Sequence, residues 1–287
     1  MIHRQAEHCE YLQFRLLAEI PGLVHAVFTR RGGFSQPPFA GLNLSAITGD
    51  DRATVARNRD VVVRALGLPL AGTRTVHGNA VATVERPAGA TTSAWLEPLR
   101  ATLLATAADA MLADQPGFAL CWAYGDCTPV LLFDPRHRAF ALIHAGWRGT
   151  AAAVVPAAVA AMAARYGTRA HELLAGVGPA VGACCYEIGP EVRDTFAAHP
   201  LAAKCVRFVE RPNAAGTPAL YLDVAAANVA QLRASGVRAE HIETSGYCTG
   251  CRTDLFYSHR REPKPSGRFA VAIGLRDERA LDDGSRR

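Results

Sequence analysis

Lysine is scarce in this chain: of 31 basic side chains only Lys204 and Lys264 are lysine, and the rest are arginine. Aromatic residues make up 7% of the sequence, and there are three methionines in 287 residues. No basic run is interleaved with aromatics, and the formal charge of +5 is spread through stretches of mixed sign. A nucleic-acid surface needs a basic stripe with stacking partners, so that class is set aside. No apolar run reaches the roughly 20 residues of a bilayer span, so no membrane segment is expected. The nearest approach, Ala151 to Ala164, is mostly alanine and is interrupted by Pro156. It reads as a buried helix opening near Arg148 and ending at Gly167, with Pro156 at a bend or a late first turn. Met1 to Ile20 holds His, Glu and Arg and lacks the apolar centre of a leader peptide, so a cytoplasmic, reduced protein is expected. The hydrophobic fraction of 49% is ample for a core and excludes disorder. In such a protein the eight cysteines are core residues, metal ligands or nucleophiles rather than staples.

What is present is an irregular alternation of apolar strands and capped helices. Val24–Thr29, Ala80–Glu85, Phe118–Ala123, Val130–Asp134, Ala139–His144, Leu173–Val177 and Phe269–Leu275 read as strands, several apolar throughout, as in sheets buried on both faces. Arg52–Leu66 reads as a helix capped by Asp50 or Asp51 and stopped by Gly67. Asp223–Ser235 is a second helix, and Pro190–Ala198, with proline in its first turn, a third. Pro87–Leu104 is the least regular stretch, and Arg211–Pro218 reads as a polar loop. No repeat or linker divides the chain. The expected fold class is α+β (mixed α/β), one domain over residues 1–287 with its two ends peripheral.

Chemistry concentrates in three turns that follow apolar strands: Thr75–Asn79 with His77, Tyr124–Pro129 with Cys127, and Ile143–Thr150 with His144 and Arg148. At the last of these a helix starts beside Arg148, and free N–H groups with a guanidinium make an anion site next to an imidazole. His77, Cys127 and His144 are a candidate metal set, since two imidazoles and a thiolate suit zinc with one position open. The same types suit a blue-copper site, but that also wants an axial ligand such as Met, and neither Met111 nor Met162 adjoins these turns. A multicopper oxidase needs paired histidines, and no His-x-His occurs.

The remaining cysteines carry less signal. Cys121 lies in an apolar strand and reads as core. Cys184 and Cys185 are adjacent, so in extended chain their side chains diverge and they are not expected to share one tight site. Cys248-Thr249-Gly250-Cys251 is a C-x-x-C without a second pair at zinc-knuckle spacing. Cys9 and Cys205 give no signal. Arg30 and Arg31 in a glycine turn, and Arg252, Arg260, Arg261, Lys264 and Arg268 near the C-terminus, read either as solvated surface or as phosphate clamps.

Taken together, the strings Phe28-Thr29-Arg30-Arg31-Gly32-Gly33-Phe34-Ser35, Gly41-Leu42-Asn43-Leu44-Ser45, Val76-His77-Gly78, Ala108-Asp109-Ala110-Met111, Gly125-Asp126-Cys127-Thr128-Pro129 and His144-Ala145-Gly146-Trp147-Arg148-Gly149-Thr150 resemble the YfiH-type, or laccase-domain, family, also described as purine nucleoside phosphorylases. The stretches Gly178–Glu187, Cys248-Thr249 and Phe256–Arg261 extend the resemblance over nearly the whole chain. Thr75 departs from it, standing where a Gln is usual. The resemblance implies a four-layer α-β-β-α sandwich and a zinc, with copper as an alternative, held by His77, Cys127 and His144. It implies phosphorolysis of adenosine, inosine or methylthioadenosine, with adenosine deamination alongside. The partners are then purine nucleosides and phosphate, and either a monomer or a homodimer is open. Asp109, Cys127 and Arg148 are the catalytic candidates, Asp109 as a carboxylate that handles a proton. Arg31, Asn43, Arg148 and Arg261 are the candidates for substrate or phosphate contact. The alternatives are an amidase acting on a peptidoglycan precursor through a Cys127–His144 pair or a zinc, a copper polyphenol oxidase, and a non-catalytic partner protein.

Overall fold

In a computed structural model the described residues are 1–86 and 103–277. Two six-stranded sheets are stacked face to face. The first runs Ile2–Ala6, Cys9–Gln13, Leu23–Gly32, Phe269–Leu275, Phe118–Tyr124, Leu70–Ala71, antiparallel except for its last pair. The second runs Ile242–Thr244, Leu174–Val177, Thr128–Asp134, Ala139–Ala145, Ala110–Ala113, Val81–Thr83, with parallel pairs at its two edges. A small third sheet joins Glu187–Ile188, Pro218–Leu222 and Phe208–Pro212.

The seven strands expected from the apolar runs all form, and the reason they lack alternating polar residues is visible in their faces. Phe269, Val271, Ile273 and Leu275 point between the sheets, where they meet Leu131, Phe133, Phe140 and Leu142 of the second. Ala270 and Ala272, on the opposite face, lie under the Arg52–Leu66 helix with Val61, Val62 and Leu66. The second sheet repeats the pattern: Val130, Leu132, Ala141 and Ile143 turn outward onto the Val154–Tyr166 helix through Val155, Ala158 and Met162. Both sheets are thus buried on two faces, giving the four layers α-β-β-α.

Local signals set the helix ends. Asp51 accepts from the Thr54 amide at 2.8 Å, and Gly67 closes the same helix at φ 67°. Asp223 caps Val224–Ala234 through the Ala226 amide, and Pro190–Ala197 opens on its proline. The alanine-rich segment differs from a single helix. It is split into Trp147–Ala151 and Val154–Tyr166 by Ala153, whose φ of 58° is left-handed, and Pro156 sits in the first turn of the second piece. No described helix is long and apolar enough to cross a membrane.

Two expectations change, and a third lies outside the described residues. The N-terminal residues are no appendage: they form the edge of the first sheet, and Leu12, Phe14 and Leu17 are fully buried. Arg211–Pro218 is only partly loop, because Arg211 and Pro212 pair with Ala219 and Pro218, leaving Asn213–Thr217 as the turn. Pro87–Leu104 falls almost wholly outside the described residues.

Candidate metal centre

The chain crosses from the first sheet to the second at Gly125-Asp126-Cys127, so Cys127 stands where the two sheets meet. Asp126 holds the crossing with a positive φ of 88°. Pro129 is paired with His144 across the adjoining strands, which brings the imidazole alongside the turn. His77 arrives from a third segment, between Leu70–Ala71 and Val81–Thr83, itself at φ 60°. One ligand atom from each of His77, Cys127 and His144 lies within 4.8 Å of the others. The rings of His77 and His144 stand nearly perpendicular, 4.9 Å between centroids.

Asp109 organises this cluster. Its carboxylate, fully buried, accepts from the successive amides of Val76, His77 and Gly78 at 2.8–3.2 Å, and its Oδ1 also meets His144 Nδ1 at 2.9 Å. Successive amides aimed at one anion form a nest, and here the nest fixes the strained His77 turn. With His144 Nδ1 on a carboxylate, Nε2 is left to face Cys127 and His77. Both Asp109 oxygens are thereby committed.

The three groups shift one another's protonation strongly. Burial would raise the Cys127 thiol, but the charge and hydrogen bonds of His144 and His77 outweigh it and bring it down to about 6. Burial would lower His144, yet the Cys127 thiolate and Asp109 push it up to about 9. Burial also raises Asp109, and bonds from His144, Gly78 and Val76 hold it below the usual carboxylate range. Gly146 is required by proximity: a Cβ there would lie 2.8 Å from Cys127 Sγ and 3.3 Å from His77 Cδ2. His77 is exposed and His144 buried, so the cluster opens to solvent on the His77 side.

The other candidates fall in different settings. Arg148 is exposed, its guanidinium 4.2 Å from the Trp147 ring centre, two residues from Gly146. Arg31 is exposed and ion-paired with Glu10 and Asp254. Asn43 is fully buried, and its amide is saturated: it donates to Ser45 O and Asp50 Oδ2 and accepts from the Ser45 and Arg268 amides. Arg261 is exposed beside Gly250. Two residues that were not assigned a role at this site border the thiolate: Asp126, of the Gly-Asp-Cys turn, and Arg268, read as solvated surface or a phosphate clamp. Asp126 accepts from Thr249 Oγ1, Ser258 Oγ and the Arg260 amide, and Arg268 packs its side chain against Gly125. Their roles carry no spacing signal, because in each case the chain near residues 125–126 meets the distant C-terminal segment.

One reading is overturned outright. Cys184, Cys185, Cys248 and Cys251 bring their sulfurs within 4.8 Å of one another. Cys184 and Cys185 lie in a turn, not a strand, with the Cys185 and Tyr186 amides both donating to Gly182 O at 2.9 Å. Helical turning places adjacent side chains on neighbouring faces instead of opposite ones. The second pair that the C-x-x-C lacked is thus this one, delivered by parallel pairing of Leu174–Val177 with Ile242–Thr244 and the Ala180–Cys248 bridge.

Residues 24–276 match the model of the multi-copper polyphenol oxidoreductase laccase family. The chain belongs to that family. Curated relatives include purine nucleoside phosphorylase YlmD of Geobacillus stearothermophilus, 34% identical over 263 residues that make up 90% of this chain and 92% of the relative. Purine nucleoside phosphorylase ORF3 of Streptomyces griseus is 38% identical over 262 residues, covering 90% and 97%. Among solved structures, YlmD from Geobacillus stearothermophilus superposes with a TM-score of 0.80 at 30% identity, covering 96% of this chain and 98% of that one. The Bacillus licheniformis protein YfiH gives 0.81 at 28%, covering 96% and 99%.

Proposed function

We propose that this chain is a cytoplasmic, zinc-dependent purine nucleoside phosphorylase. It converts adenosine, inosine or methylthioadenosine and phosphate to free base and a ribose 1-phosphate, with adenosine deamination alongside. Relatives that carry the phosphorylase name support the reaction class. The observation that carries the site is the convergence of His77, Cys127 and His144 from three separate segments onto one point, with Asp109 bonded to two of them.

The donor set fits zinc: two imidazoles, one thiolate and an open side toward solvent at His77. Blue copper would further want a weak axial ligand such as a thioether, whereas Met111 and Met162 serve as fully buried members of the hydrophobic cores. When bound, zinc supplies Lewis-acid polarisation and lowers the pKa of water toward neutrality.

The rest is done by the chain's own side chains. Asp109 keeps the His144 Nδ1 proton and the His77 turn in place; with both oxygens engaged, it orients the site rather than exchanging a proton with substrate. Asn43 acts at one remove, holding the Arg268 amide while Arg268 keeps a cation beside Gly125. Arg148 would meet phosphate, a reading supported by its exposure and by its following closely on Gly146, where a Cβ would press on both Cys127 and His77. Arg31 and Arg261 would have to leave their surface settings to join it.

A second reading has an observation of its own. Cys127, His144 and Asp109 form a thiol, a base and an orienting carboxylate in series, the arrangement of a cysteine nucleophile. It would give an amidase acting on a peptidoglycan precursor. Chelation separates the two: adenine formation that stops on metal removal and returns with Zn²⁺ supports the phosphorylase, whereas chelator-indifferent activity abolished by thiol alkylation supports the amidase.

A further inference from the structure

We propose that Cys184, Cys185, Cys248 and Cys251 form a second, structural zinc site, independent of the one at His77, Cys127 and His144. The sulfurs are spaced for it. Cys251 Sγ lies 3.3 Å from Cys184 Sγ and 3.5 Å from Cys185 Sγ, and all four fall within 4.8 Å of one another. Four thiolates around zinc at about 2.3 Å stand about 3.8 Å apart, inside that range. All four are free cysteines, and one disulfide would not account for the set: Cys251 is nearly equidistant from two sulfurs and can bond only one, leaving two of the four thiols outside the bond.

The backbone is arranged for thiolates. The Gly182 amide donates to Cys248 Sγ at 3.3 Å. The Cys251 and Arg252 amides close a turn on Cys248 O at 3.2 and 3.0 Å, folding the C-x-x-C so that both sulfurs face one way. Gly250 leaves the room: a Cβ there would sit 2.9 Å from Cys185 Cβ and 3.0 Å from its sulfur. Positive charge is close at hand to offset the doubly negative tetrathiolate, with Arg211 donating to Ala183 O and Cys184 O at 2.9 Å and Arg261 beside Gly250.

The site has a structural consequence. Thr249, between the two cysteines of the C-x-x-C, donates through Oγ1 to Asp126 at 2.5 Å and through its amide to Ala180 O at 3.0 Å. The Val181 amide donates to Asp126 O at 3.0 Å. Both loops that the four cysteines would clamp therefore grip the residue preceding Cys127. A metal there cross-links two loops that otherwise meet only through a single bridge and a few hydrogen bonds, and it holds the sheet-crossing turn from behind.

The test is metal analysis of full-length protein purified under reducing conditions with Zn²⁺, alongside Co²⁺ titration. Wild type is expected to hold about two zinc ions per chain, Cys127→Ser about one, and the double variant Cys184→Ser/Cys251→Ser about one with a lower melting temperature. In Cys127→Ser, bound Co²⁺ should show intense thiolate-to-metal charge-transfer absorption and tetrahedral d–d bands, since the remaining thiolates near a candidate site are these four. This measurement needs no change at the four-cysteine cluster, so misfolding of the double variant leaves the proposal testable. No thiolate–cobalt absorption in Cys127→Ser, or one zinc in wild type that the double variant retains in full, would overturn it.

Discussion

Asp109 Oδ1 holds His144 Nδ1 at 2.9 Å and the His77 amide at the same distance, so one carboxylate sets the orientation of one imidazole and the position of another. The coupling follows from topology. Asp109 immediately precedes the Ala110–Ala113 strand, which pairs with the strand that carries His144, and the His144 amide donates to Asp109 O at 2.8 Å. A substitution at Asp109 therefore reaches two of the proposed ligands at once.

Asp109→Asn is the sharpest test of that coupling. An amide presents donors to a nest of N–H groups, and its oxygen cannot serve Val76, His77, Gly78 and His144 together. Zinc affinity should fall by about 10–100-fold, with activity falling in step with metal content. Competition with a chromophoric chelator measures it; unchanged affinity in a folded variant would show that Asp109 does not organise the ligands.

Gly146→Ala adds one methyl group 2.8 Å from the Cys127 sulfur, in a strand-to-helix turn where φ is −70° and imposes no strain of its own. The far-ultraviolet circular dichroism should stay native while zinc content and adenine release drop. Full metal loading would mean that the turn shifts enough to accept the methyl group.

Asp126→Ala leaves the Thr249 and Ser258 hydroxyls and the Arg260 amide without their acceptor in a buried setting. A loss of about 2–4 kcal/mol is expected, read by urea denaturation of metal-free protein so that ligand loss does not enter. A change under 1 kcal/mol, the ordinary net value of a hydrogen bond, would show that water satisfies these groups.

His25 supplies the pH dependence. It is fully buried, its Nε2 accepts from the Phe14 amide at 2.9 Å, and burial lowers it from 6.5 to about 4. Between those values the unfolded chain binds a proton that the folded chain refuses, so stability falls as pH drops from about 6.5 to about 4. The contribution is about 3 kcal/mol over that window. Denaturation midpoints of wild type and His25→Gln should converge as the pH is lowered through it. Parallel curves would remove His25 as the cause.

Much of the architecture was legible because both sheets are covered on both faces. Strands such as Phe269–Leu275 are apolar throughout and stand out from their surroundings. Strands that lie at edges, such as Ile2–Ala6 with three exposed residues of five, carry no such mark. His77, Cys127 and His144 were legible from the glycine-rich turns around them, although His144 is the penultimate residue of the Ala139–Ala145 strand and not part of the turn that follows. Asp109 was singled out too, but its bonds to three successive amides depend on a left-handed His77, which no residue type advertises. The four-cysteine cluster was hidden for a plain geometric reason. An adjacent pair reads as extended chain, while the Gly182 carbonyl draws it into a turn, and parallel pairing brings the C-x-x-C to meet it.

The most direct test of the account is product chromatography with adenosine, with and without phosphate, on wild type and Cys127→Ala whose metal content has been measured. The account predicts adenine and ribose 1-phosphate only when phosphate is present, in proportion to bound zinc. It also predicts a loss of at least about 100-fold in Cys127→Ala, because removing a metal ligand should exceed the effect of removing a supporting contact. Adenine release that is undiminished in Cys127→Ala, or in zinc-stripped wild type, would contradict it.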